Sequence, residues 1–221
     1  YPKSGNTWVR SLLSTYLFSK DGTFNFELLK NIKQFPSKEY LKFFLSDFKN
    51  IKKISKYWIA AQDRINLLNE GPTFLKTHSA LCTLEKNSFT NKNNTGAVIY
   101  IVRDPRNVIT SITNHYSLNY EDAFSKLMDP NCSILEKSAD SDHSNFTFLS
   151  SWSNHYKSWK NCKEFEILFL KYEDLEHNKN ETFNKIILFI NKLLKKENTI
   201  DEKKLLNSIK STNFSNLKNK E

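Results

Sequence analysis

The chain has 221 residues, 38% of them hydrophobic, and its 33 Lys and Arg exceed its 24 Asp and Glu to give a formal net charge of +9. That length suits one α/β domain with a sizeable core, and no apolar run reaches the roughly 20 residues of a membrane span, so a soluble protein is expected. The positive balance favours anionic ligands, but the lysines are scattered instead of forming one dense tract, and charge alone assigns no nucleic-acid role.

The opening run, Tyr1-Pro2-Lys3-Ser4-Gly5-Asn6-Thr7-Trp8, leads directly into apolar helical spacing from Val9 to Leu17. Residues 4–8 are expected to turn into the N-terminus of a helix over 7–19, where outward-pointing backbone N–H groups and the helix dipole favour an anion. Lys3 adds a mobile charge, while Ser4, Asn6 and Thr7 could cap the helix or touch oxygens. A Walker A loop ends in Gly-Lys-Ser/Thr and this one does not. The pattern suits a compact phosphate beside the Trp8 ring; the plainer alternative is an ordinary capped helix after a Pro-containing turn.

Lysine-rich segments around 25–34, 37–49 and 55–69 have apolar residues at helical spacing. Gly71-Pro72 then introduces a short strand over 73–76. A polar loop over 91–96 leads to Ala97–Val102, an apolar, β-branched run expected of a buried parallel strand. Asp104-Pro105 caps a helix to about residue 117. Another helix is expected over 120–128, a loop over 129–143, a long helix over 145–161, a buried strand over 166–170, and helices over 179–195 and 201–209. Alternating strands and helices predict a single-domain parallel sheet flanked by helices on both faces.

Four segments would deliver polar groups beyond the carboxyl ends of such strands, where open α/β sheets bind ligands. The first is the loop of Lys3. The second, Phe74-Leu75-Lys76-Thr77-His78, brings Lys76 and His78, with His78 a candidate base; most histidines are merely exposed or hydrogen-bonded. The third runs from Tyr100 to Ser111, and its Arg103 fork and Ser111 hydroxyl suit a phosphate monoester, unless Arg103 simply pairs with Asp104. The fourth, Lys171-Tyr172-Glu173-Asp174-Leu175, offers Tyr172 for a base pocket or for packing. Cys82, Cys132 and Cys162 show no metal-ligand spacing, and reduced thiols in a cytoplasmic protein are expected.

Together these segments resemble the sulfotransferases that use 3′-phosphoadenosine 5′-phosphosulfate (PAPS). YPKSGNTW is similar to that family's 5′-phosphosulfate loop and YIVRDPRNVITS to its 3′-phosphate strand and helix. Lys-Thr-His, the Trp/His-rich stretch Trp152 to Trp159, Tyr-Glu-Asp-Leu and a closing segment from Ser211 to Lys218 follow in family order. The Lys-Thr-His form is nearest to the soluble small-molecule type and to bacterial members. The resemblance implies a P-loop-like fold, no metal, and sulfuryl transfer to a hydroxyl or amine with release of 3′-phosphoadenosine 5′-phosphate (PAP). It implies catalytic roles for His78, Lys3 and Lys76, and cofactor binding by Lys3, Ser4, Gly5, Asn6, Thr7, Trp8, Arg103, Ser111, Tyr172, Thr212 and Phe214. Two departures stand out: Asn6 occupies a position more usually Thr, and the Arg-Lys-Gly loop that completes the family's 3′-phosphate cradle does not appear. Residues 1–221 are therefore expected to form one domain truncated at both ends, with a strand preceding Tyr1. A P-loop nucleotide kinase and a non-catalytic nucleotide-binding module are the alternatives; the acceptor and the oligomeric state are not readable.

Overall fold

A computed structural model describes residues 1–135, 142–197 and 199–213. Its centre is the parallel pair β5 (Ala97–Val102) and β8 (Glu166–Lys171), with Ala97 opposite Glu166 and Val102 opposite Lys171. The alternation of β5 explains why both of its faces are apolar. Ile99 and Ile101 meet a cluster built from α1 (Asn6–Phe18), α9 (Lys179–Leu193) and α10 (Glu202–Ser211). Val98, Tyr100 and Val102 face the opposite cluster, which contains Trp58, Phe89 and Trp159. A strand covered on both sides needs a continuous apolar run, and AVIYIV supplies it.

The helices follow the same logic. On α9, Phe183, Ile186, Ile187 and Ile190 are buried at the i, i+3, i+4, i+7 spacing of one helical face. On the other side lie α2 (Lys38–Leu41), α3 (Ile51–Ser55) and α4 (Trp58–Leu68), whose Leu41, Ile54 and Trp58 are wholly buried. A third cluster joins α5 (Pro105–Tyr116) to α6 (Tyr120–Met128) through Val108, Ile112, Ala123 and Leu127. The expected α/β layering, with parallel strands covered on both faces, is present.

Differences from expectation lie in the shorter elements. Segment 25–34 is a 3-10 turn, Phe26–Asn31, followed by β1 (Lys33–Gln34), which pairs in parallel with β2 (Leu75–Lys76). An antiparallel pair, β3 (Thr83–Leu84) with β4 (Asn87–Ser88), forms where no element was expected, and a second, β6 (Ser133–Ile134) with β7 (Thr147–Phe148), replaces expected loop and helix. Because β7 takes up residues 147–148, the helix expected from 145 begins only at Trp152, as α7 (Trp152–Lys160). Lys171 passes straight into α8 (Tyr172–His177). Among the described residues the β1–β2 and β5–β8 pairs remain separate sheets, and a cavity of about 750 Å³ is lined by both β2 and β5. No helix among the described residues is long and apolar enough to cross a membrane.

Candidate active site

The loop before α1 has unusual backbone. Lys3 has φ 64° and Gly5 φ 100°, both in the left-handed region. Strained conformations of this kind persist where surrounding structure holds them. At Gly5 the cause is visible: a Cβ added there would lie 2.7 Å from Cδ2 of Tyr172. Only glycine fits both the φ and the close approach. Gly5→Ala is expected to cost about 2–4 kcal/mol from the φ penalty and overpacking combined. An unchanged urea midpoint in this variant would overturn that account of the loop.

Gly5 is the N-cap residue of α1, no side chain caps the helix, and its first turn contains no acidic residue. The expected capping by Ser4, Asn6 or Thr7 therefore does not occur, and the first-turn N–H groups keep the partial positive charge of a helix N-terminus. Ser4 is instead buried, its hydroxyl without a hydrogen-bond partner among the described residues, beside a cavity of about 60 Å³ lined also by Asn6, Thr77, Tyr100 and His155. Thr7 is exposed and Trp8 half-buried. The side chain of Asn6 reaches across to the backbone just after β2, its Nδ2 donating to the Thr77 carbonyl at 3.1 Å.

Two strand ends flank the loop. From β5, Arg103 donates through Nη1 to the Lys3 carbonyl at 2.9 Å and stacks on Tyr172, its Cζ 4.0 Å from the ring centroid. Its Nε is buried without a partner among the described residues. Asp104 does not pair with Arg103; its carboxylate contacts Arg106 Nη2 at 2.5 Å and accepts from the Arg106 backbone N–H, which holds it down at about 2. The Asp104 backbone N–H donates to Glu173 at 3.2 Å, tying the start of α5 to α8. Tyr172 also meets Trp8 edge to face at 6.1 Å, and Lys179 Nζ sits 5.5 Å from the centre of the Trp8 ring.

From β2, Lys76 Nζ donates to Gln34 at 2.8 Å, and His78 follows on irregular backbone. The His78 imidazole is lowered to about 3, chiefly by burial, with the charges of Lys76 and Lys3 adding to the effect. It is therefore neutral at physiological pH, and its buried Nδ1 has no partner among the described residues. Ser111 is half-buried in the middle of α5. Thr212 is fully buried, and its hydroxyl donates to the Ser208 carbonyl at 2.7 Å. Phe214 lies outside the described residues. The structure thus brings Lys3, Gly5, Asn6, Trp8, Arg103 and Tyr172 around one loop, with Lys76, Thr77 and His78 along its other side. Lys179 was not singled out by the sequence, because nothing in its local pattern marks it, and Glu173 lay within the segment from Lys171 to Leu175 without a role of its own.

The depressed histidine has a consequence for stability. Between about pH 6.5 and 3 the unfolded chain binds a proton at His78 that the native state does not, so stability falls as pH falls through that window and levels off above it. Each such histidine contributes up to about 1.4 kcal/mol per pH unit. His155 and the buried Tyr1 amino group are held down as well and add to the same dependence, so the share of His78 is read by comparing unfolding midpoints at pH 7 and 5 with and without its imidazole. His78→Gln is expected to reduce the pH 7–5 difference; an equal difference in both proteins would refute it.

Comparison with known proteins bears on this arrangement. The family model for the sulfotransferase domain matches residues 1–221. The chain is 26% identical to the luciferin sulfotransferase of Photinus pyralis, covering 99% of this chain and 55% of the relative. It is 26% identical to the amine sulfotransferase of Oryctolagus cuniculus (89% and 56%) and 29% identical to sulfotransferase 1A1 of Rattus norvegicus (91% and 60%). The chain thus spans little more than half the length of these relatives. The crystal structure of mouse sulfotransferase SULT7A1 complexed with PAP superposes with a TM-score of 0.58 at 19% identity, covering 99% of this chain and 64% of that one. At that identity the likeness concerns the fold.

Proposed function

The chain belongs to the sulfotransferase family, and from that premise we propose that it transfers a sulfuryl group from PAPS to a hydroxyl or amine on a small molecule. The observation that carries this reading is the loop of residues 3–6. It presents an uncapped helix N-terminus and is tied through Arg103 to one strand end and through Asn6 to the other. Those ties bring an uncapped helix N-terminus, which suits an anion, and a neutral histidine to the same loop. The buried, unpartnered Arg103 Nε and His78 Nδ1 fit a site whose polar groups are completed by ligand.

PAPS would supply the activated sulfuryl group, its phosphosulfate lying at the α1 N-terminus and its 3′-phosphate near Arg103 and Ser111. Trp8 and Tyr172, already edge to face, would flank the adenine. Lys3 and Lys76 would neutralise charge that grows on the leaving phosphate and the transferring oxygens. His78 would take the acceptor proton. Its low pKa reflects burial and nearby cations, so a bound anion is expected to raise it towards the range useful to a general base.

The kinase alternative is not favoured, because the loop lacks the Gly-Lys-Ser/Thr ending and the chain matches the sulfotransferase domain throughout. A screen of PAPS-dependent transfer to phenols, alcohols, amines and sugars tests the reading. Saturable PAP binding without transfer to any of them would favour a binding module. Magnesium-dependent ATP turnover would favour a kinase.

A further inference from the structure

Residues 77–80 belong to no helix or strand, yet three consecutive carbonyls in this segment accept hydrogen bonds from side chains. Asn6 donates to Thr77, His155 to His78 at 3.0 Å, and the Trp159 indole to Ser79 at 3.0 Å. The Leu81 N–H donates to the Ser158 hydroxyl at 3.1 Å, so α7 alone makes three of these contacts. Irregular backbone is thereby given definite geometry at the residue assigned as base.

His155 is central to this arrangement. It is 2% exposed and bonded through both ring nitrogens. A carbonyl oxygen has no proton to give, so Nε2 must be the donor to His78. In the neutral ring Nδ1 is then bare, and it accepts from the Tyr100 hydroxyl at 2.9 Å. Burial favours that neutral form, holding the imidazole well below its ordinary value. Tyr100 lies within β5, paired opposite Phe169, so the chain of contacts starts from the central sheet. It runs from the Tyr100 hydroxyl through His155 to the backbone of His78.

We propose that His155 is a positioning residue for sulfuryl transfer, fixing the His78 peptide through Nε2–H so that the His78 imidazole is held towards the acceptor. This rests on the reading of His78 as the general base. It gives the Trp/His-rich stretch of α7 a role: His155 and Trp159, four residues apart on one helical face, secure adjacent carbonyls of the catalytic segment. A small misplacement of a reacting group can cost roughly 100-fold in rate, so such tethers have leverage on turnover out of proportion to their effect on binding.

Two substitutions separate positioning from mere packing in the intact protein. His155→Gln can place its amide nitrogen near the position of Nε2 and keep the donor to His78. His155→Asn places its amide near Nδ1 and falls short of that carbonyl. His155→Gln is expected to retain kcat within about threefold, and His155→Asn to lose roughly 10- to 100-fold, with the Kd for PAP and the KM for PAPS unchanged in both. Equal kcat in the two variants would overturn the proposal, as would a matching loss of PAP affinity. If His155→Asn does not fold, Tyr100→Phe replaces it, with a smaller fall in kcat expected and no change in kcat counting against the proposal.

Combining each variant with His78→Ala isolates the route. If His155 acts through His78, His155→Asn should add almost nothing once the imidazole is gone. An additive loss means that His155 supports turnover by another route and the proposal fails. Should His78→Ala alone leave turnover intact, the failure belongs to the assignment of the base and is visible before any His155 variant is compared.

Discussion

His78→Ala is expected to lower turnover by about 10²–10⁴-fold, the span associated with losing a general base, while the Kd for PAP changes less than twofold. The separation follows from position: the contacts proposed for PAP lie on the loop before α1, on α1, at the end of β5, and on α5 and α8, whereas His78 follows β2. Burial and the charges of Lys76 and Lys3 keep the imidazole neutral, so the substitution removes no charge–charge attraction for the anionic cofactor. Deleting a half-buried ring leaves space in the segment, so the unfolding midpoint is measured alongside to confirm that the variant remains folded. Single-turnover rates with preloaded PAPS, set beside PAP titrations, check the split. Parallel losses of rate and affinity would make His78 a cofactor ligand or structural residue and remove it from the chemistry.

The parts of the fold legible in sequence were those whose signal is local. Ala97–Val102 reads as a buried strand because six consecutive apolar residues must serve two covered faces, and Asp104-Pro105 marks the start of α5 because each fills the role its chemistry suits there. Segments 25–34 and 37–49 were less legible. Their apolar spacing looks helical, but Asn25 accepts from the Leu28 N–H to set a 3-10 turn, and the second segment keeps only the one-turn α2 before the chain bends to bury Phe48. Here tertiary burial outweighs weak local preference.

A similar division runs through the site. Lys3, Arg103, His78 and Tyr172 stand out because each sits in a short motif beside a strand or helix end. What holds them was not readable, because the partners are distant in sequence: Asn6, His155 and Trp159 reach the 77–79 carbonyls across 71, 77 and 80 residues. Asn6 is instructive in another way. As a departure from the more usual Thr, it read as a conserved hydrogen-bonding capacity in the loop. Its longer amide spans from the loop to the Thr77 carbonyl just after β2, a use that becomes visible only once the two segments are adjacent.

Arg103 carries the other large expected effect, and its geometry predicts a graded result. The guanidinium donates to the Lys3 carbonyl, stacks on Tyr172, and keeps a buried Nε with no partner. Loss of a charge-assisted bond to a 3′-phosphate costs roughly 1.5–3 kcal/mol, so Arg103→Ala is expected to weaken PAP by about 10- to 100-fold. An analogue lacking the 3′-phosphate should weaken too, because Lys3 loses the donor that restrains its strained backbone, but by only about two- to tenfold, since that bond acts on the loop and reaches the ligand only indirectly. Arg103→Lys keeps the charge and gives up the planar fork and the stack, so it should fall between wild type and alanine for PAP. Calorimetric titration of both ligands into all three proteins provides the comparison. Equal factors for the two ligands would reduce Arg103 to a support for the loop, and unchanged affinities for both would take the end of β5 out of the cofactor site altogether.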